Sequence, residues 1–196
     1  LQTRSVELAM KNNLTLQVLS SFTNQQGTYV VNENELIENE IVSGVSYSKN
    51  ESKITISGIP DKPGISALVF GLMASNNINV DMIVQNISQD GINANITFTV
   101  PNNELEESKK IIEEKYNELN YSNLSTDSDI AKISVVGMGM MSQSGVAEKM
   151  FTTLAKNKIN IQAISTSEIK ISVLIKKIYT DLAIQSLHDV YKLDKE

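Results

Sequence analysis

The feature that most constrains this chain is that it says one thing twice. Lys53-Ile54-Thr55-Ile56-Ser57-Gly58 is matched by Lys132-Ile133-Ser134-Val135-Val136-Gly137, and Gly64 by Gly145. Ile78-Asn79-Val80 is matched by Ile159-Asn160-Ile161, and Ile96-Thr97-Phe98 by Ile171-Ser172-Val173. Self-similarity on this scale marks a duplicated supersecondary unit whose copies solve the same burial problem. The offset moves from 79 to 81 to 75 residues, and each change falls between periodic blocks, where loop insertions are tolerated. At 196 residues the chain has room for two small domains.

Each copy reads as the same series of elements. Residues 53–58 alternate apolar and polar, as a half-buried strand does. The turn "PDKPG" follows, then a helix whose Ile65, Leu68, Val69, Leu72 and Met73 line one face, stopped by "NNI". Segments 79–88 and 93–100 around Asp90-Gly91 predict a hairpin. Residues 102–119 predict an acidic-headed helix capped by Asn102 or Asn103. The second copy follows with strand 132–137, helix 145–157, strands 160–167 and 169–175, and helix 180–191.

A β-α-β-β-α-β plan needs a fourth strand. Segment 121–127 supplies it for the first copy, but the second copy runs out at its last helix. The strand-like segment "EIVSGVSYSK" (40–49) has no partner of its own, so it is predicted to cross over and complete the second sheet. The fold class is therefore α+β: tandem ferredoxin-like (βαββαβ) units, the first inserted within the second, with their sheets paired side by side. Such sandwiches carry many unrelated functions, so the loops must decide.

Composition removes several classes. A net charge of −6 with no Lys/Arg cluster leaves no basic face for nucleic acid or an anionic membrane. The absence of cysteine excludes disulfides, thiolate nucleophiles and thiolate metal sites. The single histidine, His188, sits in "SLHDVYKL" and reads as a helical surface residue rather than a general base. A small acyl-phosphate hydrolase of this fold lacks a suitable arginine, because the only one, Arg4, lies outside both copies. No apolar run reaches membrane-span length and no signal peptide is visible, which points to the cytoplasm. Opening on Leu1 rather than Met reads as a cut from a longer chain.

At "GIPDKPGISALVFGLMASNNINVDMIVQNIS", followed by "NKINIQAISTSEIKISVLI", the sequence resembles the regulatory region of aspartate kinases, a tandem pair of ACT domains. The resemblance covers essentially the whole chain. It implies that 1–39 are a C-terminal remnant of an amino-acid kinase domain, 40–50 the strand completing the second unit, 51–128 the first ACT domain and 129–196 the second. Cut from that domain, the apolar strand 14–22 has lost its sheet. The family's K-F-G-G-T-S-type loop is absent. "GMGMMSQSG" (137–145) fits neither G-x-G-x-x-G nor a phosphate-binding loop, and reads as a duplicated effector turn. No phosphoryl transfer is expected from this chain. ATP and Mg belong with the missing domain of an ATP-dependent phosphotransferase acting on the aspartate carboxylate; no metal and no cofactor are expected here.

A free amino acid presents a carboxylate, an ammonium and a side chain. The turn Asp61–Ile65 offers helix N-terminal amides to the carboxylate, with Gly64 permitting close approach, Pro63 stiffening the chain and Ile65 opening the helix. Asp61 can pair with the ammonium or a hydroxyl. The resemblance implies that Asp61, Gly64 and Gln85, with Asn160 and Ile161 of the second copy, take threonine. It implies a lysine pocket with the acids Asp81 and Glu168, and with Ser88, Thr97, Val146, Ser165 and Ser167 nearby. Solvated strand-end charge is the alternative for Asp81 and Glu168, and ladder support is the alternative for Gln85, Asn86 and Ser88. The partners implied are lysine and/or threonine, an aspartate kinase catalytic domain or subunit, and a second copy in a homodimer. The function implied is feedback inhibition of lysine and threonine biosynthesis. The other reading is an ACT scaffold that dimerises without an effector.

Overall fold

The structure, a computed structural model, describes residues 1–31, 41–88, 91–137 and 145–193. The chain divides into two bodies, Leu1–Asn39 and Glu40–Glu196. In the first, helix α1 (Thr3–Lys11) precedes an antiparallel ladder of β1 (Leu16–Val18) and β2 (Thr28–Val30). Within the apolar run 14–22 only Leu16–Val18 therefore has a partner strand. A two-stranded ladder cannot bury the run, however, and Leu14, Leu19 and Phe22 stay exposed, Phe22 at 97%.

The second body runs β3 (Gly44–Ser48), β4 (Ser52–Pro60), α2 (Ile65–Ser75), β5 (Asp81–Ile87), β6 (Asn93–Val100), α3 (Leu105–Glu114), α4 (Tyr116–Leu119), β7 (Asn123–Asp127), β8 (Ile130–Val136), α5 (Val146–Lys156), β9 (Ala163–Thr166), β10 (Lys170–Lys176) and α6 (Thr180–Tyr191). Two four-stranded antiparallel sheets result, in the orders β5-β6-β4-β7 and β3-β8-β10-β9. Strand β3 pairs with β8, from Gly44 opposite Val136 to Ser48 opposite Lys132. The segment that precedes the first unit is thus the fourth strand of the second, and the first unit is inserted within it.

The alternation of β4 puts Ile54 and Ile56, and the register shift between Ser57 and Ile59 puts Ile59, into a core with Phe98, Val69, Met73 and Ile112. The matching core of the second unit gathers Ile133, Val135, Val173, Met150, Leu154 and Leu187. Each fully buried aliphatic of this kind contributes about 1.5–3 kcal/mol. Phe70 meets Phe98 edge to face, with centroids 5.4 Å apart. The copies also end their first helices alike. Asn77 and Lys158 take left-handed φ values of 57° and 58°, and the next amides, of Ile78 and Ile159, return 2.9 Å bonds to the carbonyls of Met73 and Leu154. That is a Schellman-type stop.

Two matched glycines show how the fourth strands arrive. At Gly137 an added Cβ would lie 2.1 Å from the Ile41 carbonyl oxygen, at the approach to β3. At Gly58 it would lie 2.3 Å from Ser122 Oγ, at the approach to β7. Both copies keep glycine where the incoming chain crosses the end of the first strand.

One expected helix is broken. Residues 102–119 form a single 3₁₀ turn, then α3, then α4 after Lys115. Neither Asn102 nor Asn103 caps α3, whose N-cap is Glu104 with no side-chain bond. Asn102 instead accepts from Ser52 Oγ at 2.7 Å and donates to the Lys49 carbonyl at 3.1 Å, tying the helix start to the sheet. His188 lies on α6 and is half-buried.

Candidate functional site

The βα turn of the first unit is built by Gly64, whose φ of 93° and ψ of −12° start α2 without a side-chain cap. Gly145 repeats this at α5 with φ 101° and ψ −9°. The two helices therefore open on glycines of one backbone form. Only part of the amide supply is open, because the Ile65 N–H already reaches the Lys62 carbonyl at 3.2 Å. Later amides of the first turn have no helical carbonyl behind them. Asp61 and Pro63 are exposed, and Ile65 turns into the core. Ser66 Oγ donates to Gln85 Oε1 at 2.7 Å, which brings the middle of β5 to this turn. Asp61, Gly64 and Gln85 are thereby gathered at one end of the first unit, and Asp61 N–H is held by the Ile92 carbonyl at 2.9 Å.

The other predicted residues fall into separate groups. Asn86 is exposed on β5 opposite Asn95, and Ser88 closes the hairpin through a 2.7 Å bond from its N–H to the Asn93 carbonyl. The Thr97 hydroxyl is 3.0 Å from that of Thr55, a cross-strand pair repeated by Ser134 and Ser172 at 2.8 Å. Ser165 is half-buried on β9; Ser167 closes the second hairpin against the Lys170 carbonyl, and Glu168 is exposed beside it. Asn160 is exposed and Ile161 half-buried, packed against the second core. Val146 opens α5 and is buried; its carbonyl accepts the Tyr191 hydroxyl at 2.7 Å. Burial pushes that phenol up to about 12, and the Lys149 ammonium sits 5.1 Å from the ring centroid, so the end of α6 clamps the start of α5. The "MSQS" part of the second turn (141–144) lies outside the described residues.

The two units meet along their edge strands β5 and β9. Met82 packs with Ala163, Ile130 and Leu174 there. Asp81, assigned above to a ligand ammonium, already holds the chain's own: Lys132 Nζ bonds its Oδ2 and lies 2.8 Å from Glu51 Oε1. The other oxygen of Asp81 accepts the Met82 N–H at 2.7 Å. Burial raises the Asp81 pKa, but the bonds from Lys132 and Met82, with the charges of Lys132 and Lys170, leave it below the ordinary carboxylate value. Burial lowers Lys132, and Asp81 with Glu51 more than restore it, leaving it raised.

A second clasp mirrors the first. Lys53, matched to Lys132 in the repeat, bonds Gln162, matched to Asp81, and lies 4.0 Å from Asp127. Between Lys53 and Asp81 in the sheet register stands Thr99, fully buried, with a hydroxyl that has no partner among the described residues. Sequence reasoning missed Glu51, Lys53, Lys132, Gln162 and Thr99 as seam residues. The one available signal was a lysine at the same half-buried strand position in both copies. Among the described residues no group of three or more His, Cys, Asp or Glu converges as a metal site. None of the described helices is long and apolar enough to cross a membrane.

A family model described as an ACT domain matches residues 52–116 and 133–191. The aspartate kinase of Pseudomonas putida is 46% identical over 195 residues, covering 99% of this chain and 47% of that protein. The chain thus spans about half the length of the curated relatives it matches. A crystal structure of aspartokinase alpha and beta subunits is 42% identical at a TM-score of 0.72, covering 78% of this chain and 99% of that one. The ligand-free regulatory subunit of aspartate kinase from Thermus thermophilus is 36% identical at 0.72, covering 77% and 99%.

Proposed function

Because this chain belongs to the family of aspartate kinase regulatory regions built from tandem ACT domains, we propose that it senses an end-product amino acid, lysine or threonine or both, and relays the binding to a kinase catalytic domain or subunit as feedback inhibition. One observation carries the reading: two βα turns of the same left-handed glycine form, on units whose edge strands meet at a charged seam. A zwitterion needs amide donors for its carboxylate and an acid for its ammonium, and the Asp61–Gly64–Gln85 end of the first unit supplies both. Asn160 and Ile161 would complete the threonine set from the second unit, with Asp81 and Glu168 serving lysine.

Binding that favours one arrangement of the two units shifts the kinase by a coupling of about 1–3 kcal/mol. Residues 1–39 are the remnant of the kinase domain in this reading, which agrees with the exposed apolar surface of Leu8, Leu14, Leu19 and Phe22. Exposed Ile83, Ile87 and Ile164 on the edge strands support a homodimer through the ACT units. Phosphorylation of aspartate with ATP and Mg belongs to the rest of the enzyme, acting in the cytoplasm.

Calorimetric titration with lysine and threonine, singly and together, tests this. Heat is expected from at least one of them, weakened about tenfold to a hundredfold in Asp61→Ala by loss of a charged hydrogen bond. Silence from both at millimolar ligand overturns the sensor and leaves the dimerisation scaffold.

A further inference from the structure

The Lys132 clasp does more than join two units. It places two carboxylates, Glu51 and Asp81, around a single ammonium, with Lys170 acting on Asp81 only through space. Within this three-residue clasp the carboxylates therefore outnumber the bonded ammonium. The two acids are not equivalent: the Glu51 side chain is 11% exposed and Lys132 15%, whereas Asp81 is 53% exposed. A cation from solvent reaches Asp81 and not Glu51.

Three further observations single out this point. Met82, the residue after Asp81, is buried with a φ of 41°, a conformation that L side chains rarely adopt, and the β5 register shifts between Asp81 and Val84. Thr99, opposite Asp81 in the register, buries a hydroxyl that has no partner among the described residues. The mirror position to Asp81 is the neutral Gln162, so only one of the two clasps offers a carboxylate that a foreign ammonium would compete for.

Resting on the effector reading above, we propose that Lys132 is a tethered competitor. Its ammonium fills the Asp81 subsite when no effector is present. An amino acid with a side-chain ammonium must displace it from Asp81, leaving it to Glu51, and in doing so loosens the junction of the two units. Lys132 thereby sets the threshold at which such an effector acts. It is a positioning residue for the response, and its effect is confined to ligands with a second ammonium.

The test is calorimetry on the whole chain with L-lysine and with L-norleucine, which keeps the shape of lysine and lacks the ε-ammonium. Lys132→Met is expected to bind lysine about tenfold more tightly than the unsubstituted chain, with norleucine unchanged. A thermal melt checks folding; Glu51→Gln with Lys132→Met removes the orphaned acid and should keep the gain. Adding Asp81→Asn to Lys132→Met should abolish it. Unchanged lysine affinity in Lys132→Met, an equal gain for norleucine, or a gain that survives Asp81→Asn overturns the competitor while leaving the sensor intact. No lysine binding by any of these chains overturns lysine sensing as well.

Discussion

Deleting residues 1–50 is expected to unfold the second ACT unit, whereas deleting residues 1–40 leaves both units folded. The difference lies in β3, which precedes the first unit in sequence but pairs with β8 of the second across five residues. Without it, β8 becomes an edge strand while Ile133 and Val135 still need a closed sheet above the helices. Val42 and half-buried Val45 leave the core at the same time. Two lost valines and the ladder bonds together cost on the order of 5 kcal/mol. That equals the whole stability of a small domain. Amide-proton NMR reads the result directly: the 51–196 chain should lose the dispersed resonances of β8–β10 and keep those of β4–β7. Full dispersion in that chain would mean that the second unit stands without its borrowed strand.

Gly137→Ala is expected to destabilise the protein by about 3 kcal/mol or more. Its added Cβ meets backbone on two counts, the Ile41 carbonyl oxygen at 2.1 Å and Val42 Cα at 2.7 Å, and backbone cannot rotate aside. Relief requires β3 to move off β8, which undoes the pairing just described. Gly58→Ala, at the matched position, is expected to cost less, about 1–2 kcal/mol. There the Ser122 Oγ at 2.3 Å can turn away, but Ser122 Cβ at 2.7 Å moves only with its backbone, so the cost combines a smaller displacement than at Gly137 with the positive φ of 67°. Urea denaturation at constant m separates the two values. A Gly137→Ala midpoint matching that of Gly58→Ala would show that the crossing at Ile41 is loose.

Much of this architecture was legible because the duplication supplies each element twice. The alternation of Lys53–Gly58 and the stop at Asn76-Asn77 recur in the second copy, and a missing fourth strand is visible only by counting one copy against the other. What stayed hidden depends on contacts between distant residues. Asn102 has the right chemistry for a cap, but Ser52, fifty residues away, takes its side chain, so the helix starts later. Asp81 reads as a carboxylate awaiting a ligand, yet its partner Lys132 lies fifty-one residues on, in the other copy. Period and propensity carry no information on such pairs. Thr99 is plain in sequence, one polar residue in an alternating strand, and becomes notable only when the fold buries its hydroxyl.

The central claim is that an amino acid is gripped where the two ACT units adjoin, and amide chemical-shift mapping on the labelled chain tests it most directly. Titration with lysine and threonine should move Gly64, Ile65 and Gln85 of the first unit together with Asn160 and Ile161 of the second, at one saturating concentration. Shifts confined to residues 1–31, or none at all up to millimolar amino acid, would contradict it.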